Sequence, residues 1–171
     1  MNAIFNRKSI RKYTEQVVTN EQVELVLRAA MAAPSAGNAQ PWDFIVVRDQ
    51  NKINEMIQTS PYTGPLKTAS VAVVVCGDTA KERFSGYWVQ DCSAAIENML
   101  IQAEDMGLGA VWMGIYPIEE RVAALKQIFN LPETVTPLAV VPLGYPAEQK
   151  QAVDRFNESR VHFETWNNLE I

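Results

Sequence analysis

Ala33-Pro34-Ser35-Ala36-Gly37-Asn38-Ala39-Gln40-Pro41-Trp42 (APSAGNAQPW) joins the chain's first long helical pattern to its first strand-like run. Proline and glycine punctuate it, and serine, asparagine and glutamine fill the places between, which is ordinary chemistry for a connecting loop. Ser35, Asn38 and Gln40 also set hydroxyl and amide groups close together, a mixture suited to a ligand rich in hydroxyls and ring carbonyls. The glycine-rich turn of the common nucleotide folds would have to follow the first strand, and it is missing. Neither GxGxxG nor GxxxxGK[ST] occurs in the 171 residues. Any phosphate must be held by other means.

On the amino-terminal side, Thr19-Asn20-Glu21-Gln22 is a capping box, in which the threonine hydroxyl and the glutamine side chain satisfy each other's amides. Val23, Val26, Leu27 and Ala30 follow at helical spacing, and Pro34 ends the run. On the other side, Asp43 to Val47 reads as a strand. Asp49 caps a short helix carrying Ile53, Met56 and Ile57. Ser70 to Cys76 (SVAVVVC) is a continuous apolar run, short enough for a strand buried on both faces. The longest helix is expected from about Gly86 to Met106, with a stripe wide enough to be covered on more than one side, and Gly107 and Gly109 stop it. Ala110 to Met113 reads as a strand, and Ile118, Val122, Leu125 and Phe129 as an amphipathic helix closed by Asn130 and Pro132. Leu138 to Tyr145 reads as a final strand, Pro142 suggesting a bulge or an edge. Periodicity alone leaves a doubly wound parallel sheet open.

Bulk properties narrow the function. The net charge of −5 argues against a nucleic-acid partner, which needs a basic face. No apolar run approaches ~18 residues, and MNAIFNRKSIRKY lacks the apolar stretch of a signal peptide, so a cytoplasmic location and no membrane partner are expected. Cys76 and Cys92 read as small buried hydrophobes, with no metal-type spacing around them. Arg7, Lys8, Arg11 and Lys12, with Ser9, form a cation-rich segment. A solvated basic arm is its simpler reading, yet the same groups could meet a phosphate with charge-assisted hydrogen bonds. Gly107-Leu108-Gly109-Ala110-Val111-Trp112-Met113-Gly114 leaves Gly114 unexplained by helix termination, and a glycine there permits close approach of a flat ligand.

Taken in order, RKSIRKY (7–13), APSAGNAQPW (33–42), the helix DCSAAIENMLIQA (91–103) with GLGAVW after it, the Gly144-Tyr145-Pro146 turn and the ending Asp154-Arg155-Phe156 with Arg160-Val161-His162 resemble the nitroreductase family. The resemblance spans essentially the whole chain. It implies an α+β fold with a mostly antiparallel central sheet flanked by helices, one domain over residues 1–171, and an intertwined homodimer whose extended tail, 146–171, is exchanged onto the partner. It also implies FMN as cofactor, NADH or NADPH as donor, and reduction of small acceptors such as nitroaromatics or quinones by a ping-pong cycle.

By the same motifs, Arg7, Lys8, Ser9 and Arg11 belong near the phosphate, ribityl chain and pyrimidine edge of FMN. Pro34, Ser35, Ala36, Asn38 and Gln40 would come from the other subunit. Trp112, Met113 and Gly114 would lie along the ring, and Arg155 would be a second phosphate cation. No side chain is expected to act as acid, base or nucleophile; His162 reads as tail packing, Asp91 and Glu97 as capping or interface groups, and Trp88 and Trp112 as core or interface aromatics. The other readings are a flavoprotein of the same fold with a different redox task, and a flavin-binding module without turnover.

Overall fold

The computed structural model describes residues 2–169; Met1 and the last two residues of the expected domain and tail lie outside that range. Its frame is a five-stranded sheet with the path β1-β2-β5-β3, β4 also pairing with β5. The strands are β1 (Trp42–Val47), β2 (Val71–Asp78), β3 (Gly109–Ala110), β4 (Met113–Gly114) and β5 (Val135–Gly144). All four strand pairings are antiparallel. An isolated parallel bridge from Ser9 to Ala110 stitches the amino-terminal segment to the edge.

Five helices surround this sheet: α1 (Ala3–Asn6), α2 (Asn20–Met31), α3 (Gln50–Ile57), α4 (Trp88–Asp105) and α5 (Glu119–Phe129). Alternation along β2 explains the layering. Val71, Val73 and Val75 pack into one cluster with Val26 of α2 and Ile96 and Met99 of α4. Ala72, Val74 and Cys76 face the other way, against Ile53 and Met56 of α3 and Leu125 of α5. Both faces are therefore dry, which is why the apolar run is unbroken. A run of that kind is more familiar from parallel sheets; here helices on both faces produce it in an antiparallel one.

Local chemistry sets the helix ends. The expected capping box is formed, Thr19 Oγ1 accepting from Gln22 N (3.2 Å) and Gln22 Oε1 from Thr19 N (3.0 Å). Asp49 Oδ1 accepts from Lys52 N at 2.9 Å and starts α3. Gly107, at φ 72°, and Asn130, at φ 49°, supply the left-handed residues after α4 and α5.

Four expectations need correcting. Gly109 is not a second helix stop: it lies in β3, and a Cβ there would sit 2.7 Å from Ile10 Cγ2. Ala110 to Met113 is not one strand but part of two short ones, interrupted at Val111 and Trp112. Ile118 is not on the buried stripe of α5; it is the N-cap residue and 43% exposed. β5 is interior to the sheet rather than an edge, and its irregularity is at Leu138, not Pro142. Val75 pairs with Ala139 and Cys76 with Pro137, so Leu138 is the extra residue, and its carbonyl accepts from Ile115 and Tyr116 instead.

Candidate functional site

The segment Arg7–Tyr13 runs along the β3 edge. Ile10 N donates to Ala110 O at 2.9 Å, and the Ile10 side chain is buried against Gly109. Fixing Ile10 inward leaves Ser9 and Arg11 on the opposite side, as extended geometry requires. Lys150 Nζ donates to Ser9 O at 2.8 Å, and Glu148 Oε1 accepts from Arg11 N at 2.6 Å, so the chain after β5 returns across this segment. The Arg11 amide, and Lys150 with its Nζ 3.0 Å from the same Glu148 oxygen, hold the Glu148 carboxyl below its ordinary pKa.

Arg7, Lys8, Ser9, Arg11, Lys150 and Arg155 meet around one cavity of about 500 Å³, with no carboxylate in its lining. Two of these cations have partners on α4: Arg7 Nε lies 3.3 Å from Glu97 and Lys8 Nζ 2.9 Å from Glu104. Glu97 is thus an ion-pair partner rather than a cap. For Arg7 the pairing occupies one edge of the guanidinium and leaves other N–H groups for a guest. Lys150 is the residue that sequence reasoning missed; its one signal was position, five residues before Arg155.

Arg11 also lines a second cavity of about 460 Å³ formed by Ser60–Pro65 and Val111–Ile115, with Arg121 from α5. Trp112, Met113 and Gly114 are all in its wall. A Cβ at Gly114 or Gly64 would meet no atom within 4 Å, so backbone is open to a guest at both places. The wall is mainly apolar, with no acidic residue. A cation-lined hollow and an apolar slot that share one arginine suit a ligand with a phosphate at one end and a flat ring at the other. FMN has that form, and the donor set suits it.

Pro34, Ser35, Ala36, Asn38 and Gln40 line neither cavity. Their loop is shaped from within: Ser35 Oγ accepts from Gln40 N (3.0 Å), Asn38 Oδ1 accepts from Gln40 Nε2 (3.0 Å), and Gly37, Asn38 and Gln40 have positive φ. Buried Asp91 pins it to α4, accepting from Ala36 N at 3.0 Å. Asn38 and Gln40 are exposed, presenting their amides to whatever lies outside this protomer.

Cys76 and Cys92 are buried and unpaired, and desolvation pushes both thiols up to about 12. Trp88 is a core aromatic, edge-on to Tyr116 at 5.0 Å. His162 packs on Trp166 at 4.3 Å in the tail, away from both cavities, and its buried Nδ1 has no hydrogen-bond partner among the described residues. Among the described residues no group of three His, Cys, Asp or Glu side chains is placed to hold a metal, and no helix is long and apolar enough to cross a membrane.

Fold and site together define an α+β protein with an antiparallel sheet and, beside the β3–β4 edge, a cation-lined cavity and a mainly apolar one that share Arg11. Comparison with known proteins gives the family. The Nitroreductase family profile matches residues 4–62 and 58–145, and the chain belongs to the nitroreductase family. It is 46% identical to a "Putative NADH dehydrogenase/NAD(P)H nitroreductase" of Methanothermobacter thermautotrophicus over 97% of this chain and 87% of that one. A solved structure from Clostridium acetobutylicum, a "Putative NADH Oxidase", superposes with a TM-score of 0.93 at 47% identity, covering 96% of this chain and 99% of that one. A "putative nitroreductase in complex with fmn" from Desulfovibrio desulfuricans superposes with a TM-score of 0.83 at 30% identity, covering 96% and 95%.

Proposed function

We propose that this protein is an FMN-dependent oxidoreductase that draws electron pairs from NADH or NADPH and delivers them to small acceptors such as nitroaromatics or quinones, working as a homodimer over the single domain 1–171. The observation that carries the reading is the pair of cavities that share Arg11, one lined by cations and the other mainly apolar, neither with a carboxylate in its lining. FMN, when bound, supplies the two-electron chemistry, taking hydride from a dihydronicotinamide and returning electrons to the acceptor. The chain binds and orients. Arg7, Ser9, Lys150 and Arg155 take the phosphate, while Lys8, held by Glu104, adds positive field at the same end. Arg11 lines both cavities and favours negative charge at the ring edge nearest it. Trp112, Met113 and Gly114 give the ring an apolar wall along the sheet edge, limiting water there.

One open slot serves donor and acceptor in turn, which favours a ping-pong cycle. The homodimer is supported by the outward amides of Asn38 and Gln40 and by exposed apolar residues on the tail, Phe156 at 73% and Trp166 at 80%. The tail of 146–171 contains no strand among the described residues, consistent with a segment completed on the partner. Purified protein should be yellow, and anaerobic NADH or NADPH should bleach it. A colourless protein that stays apo in excess FMN overturns the reading, and a yellow one that neither donor bleaches leaves a binding module. Arg155→Ala should weaken FMN binding roughly tenfold to a hundredfold, the worth of one charge-assisted contact, measured by fluorescence titration.

A further inference from the structure

Arg121 is a second cation in the apolar slot, and the phosphate end has no use for it. It enters from the first turn of α5, across the cavity wall from the Ser60–Pro65 segment. Its guanidinium carbon lies 5.3 Å from the centre of the Tyr62 ring, and Nη1 donates to Gly114 O at 3.0 Å. These two contacts fix the plane of the group. Among the described residues, its remaining N–H donors have no protein acceptor. Glu119 and Glu120, its chain neighbours, are exposed and do not line the cavity, and among the described residues no carboxylate pairs with Arg121. A protein with a net charge of −5 thus keeps two guanidinium groups, Arg11 and Arg121, in a slot whose lining has no acid. An oriented fork of unused donors matches an oxyanion in both charge and geometry.

We infer that Arg121 is a specificity-determining residue, reading a carboxylate or phosphate carried by the flat molecule that exchanges electrons in this slot. The inference rests on the proposed function for the identity of the slot, and it adds the class of guest: a molecule with a planar reacting ring and an anionic group within reach of it. Tyr62, 71% exposed, is the cover of the device. Its ring holds the guanidinium from one side, and the guest's anion meets the donors that remain. The oxyanion has two sources, a nucleotide phosphate of the donor or a carboxylate of the acceptor, and kinetics separate them.

Holoprotein and its Arg121→Gln and Arg121→Lys variants are compared in two arms. In the acceptor arm, 4-nitrobenzoate and neutral 4-nitrobenzamide compete at a saturating donor. In the donor arm, NADPH and NADH are compared with a simple N-alkyl dihydronicotinamide that has no phosphate. Arg121→Gln should lower the anionic-to-neutral ratio of kcat/KM about tenfold in one arm, chiefly through KM, with partial recovery in Arg121→Lys. The arm that responds identifies the source. Calorimetric titration of 4-nitrobenzoate and of NADP+ into the oxidised protein gives a readout independent of turnover: at least one should bind about tenfold more weakly to Arg121→Gln. If anionic and neutral guests fall equally, or neither ratio nor affinity changes, Arg121 is only a brace for Tyr62 and Gly114 and the inference fails. Failure of the parent reading looks different, because then no variant, wild type included, is bleached by any donor.

Discussion

The two cysteines show how a buried side chain acquires properties that its composition conceals. Cys76 belongs to the α3–α5 face of β2, and Cys92 to the α2–α4 face, where its Sγ lies 3.6 Å from Cys76 O. The residue types and their places in a strand and a helix were legible in the sequence; the sheet standing between their side chains was not. Burial lifts each thiol from 9.0 to about 12, so neither is a thiolate near neutral pH. A thiol reagent at pH 8 should leave the folded protein unlabelled and modify both cysteines in denaturant. The linkage runs toward alkali. Below pH 9 both states hold the protons and stability is flat. Between 9 and about 12 the unfolded chain releases protons that the folded one retains, so stability falls as pH rises, by up to about 1.4 kcal/mol per pH unit for each thiol. Buried Tyr13, raised by desolvation and by Glu148, acts in the same direction. Urea midpoints measured from pH 8 to 10.5 should therefore decline, and less steeply in Cys76→Ala/Cys92→Ala. Equal slopes would mean that the thiols ionise freely in the folded protein.

At the scale of elements, α4 organises the site without entering either cavity. Its first turn carries Asp91, which fixes the 33–42 loop through Ala36 N; farther along, Glu97 and Glu104 hold Arg7 and Lys8. Asp91→Ala would strand a partly buried amide and remove a carboxylate from the positive end of the helix, costing about 1–3 kcal/mol. Asp91→Asn keeps an acceptor and should cost less. Urea denaturation orders the two, and Asp91→Ala equal in stability to wild type would refute the pinning role. Elements like α4 were legible because spacing within a helix is local information: capping at Thr19 and Asp49, the apolar stripe and Gly107 as terminator are all written within a few residues. Strand pairing was not. Val71 faces Leu143 across a separation that no window contains, and β2 is apolar without a break from Val71 to Cys76 because helices cover both its faces. For the same reason the extra residue at Leu138 was invisible and Pro142 drew attention instead. The ion pairs of Arg7 and Lys8 with residues some 90 positions away were hidden likewise, so a segment with free cations in the sequence has partly neutralised ones in the fold.

For the whole molecule, the proposed function implies a site divided between two surfaces of one chain. The cation cluster and the slot lie along the β3–β4 edge with the returning tail, while Asn38 and Gln40 look outward from the far end of the 33–42 loop. The sequence held both halves as motifs, but only coordinates show that one protomer does not bring them together. In the proposed homodimer two-fold symmetry would resolve this, because an isologous pair would set each protomer's loop against the partner's groove, twice over. That arrangement predicts complementation. Arg7→Glu/Arg155→Glu removes the phosphate end, and Asn38→Trp blocks the loop, so each variant alone should form inactive dimers. Refolded together from denaturant, they should pair at random, half of the dimers being mixed. In a mixed dimer one site collects both damaged halves and the other collects neither. Activity should return to about a quarter of the wild-type value per chain, with about a quarter of the sites holding FMN. If both halves of a site came from the same protomer, every site in the mixture would keep one lesion, and no recovery would be seen at any ratio of the two variants.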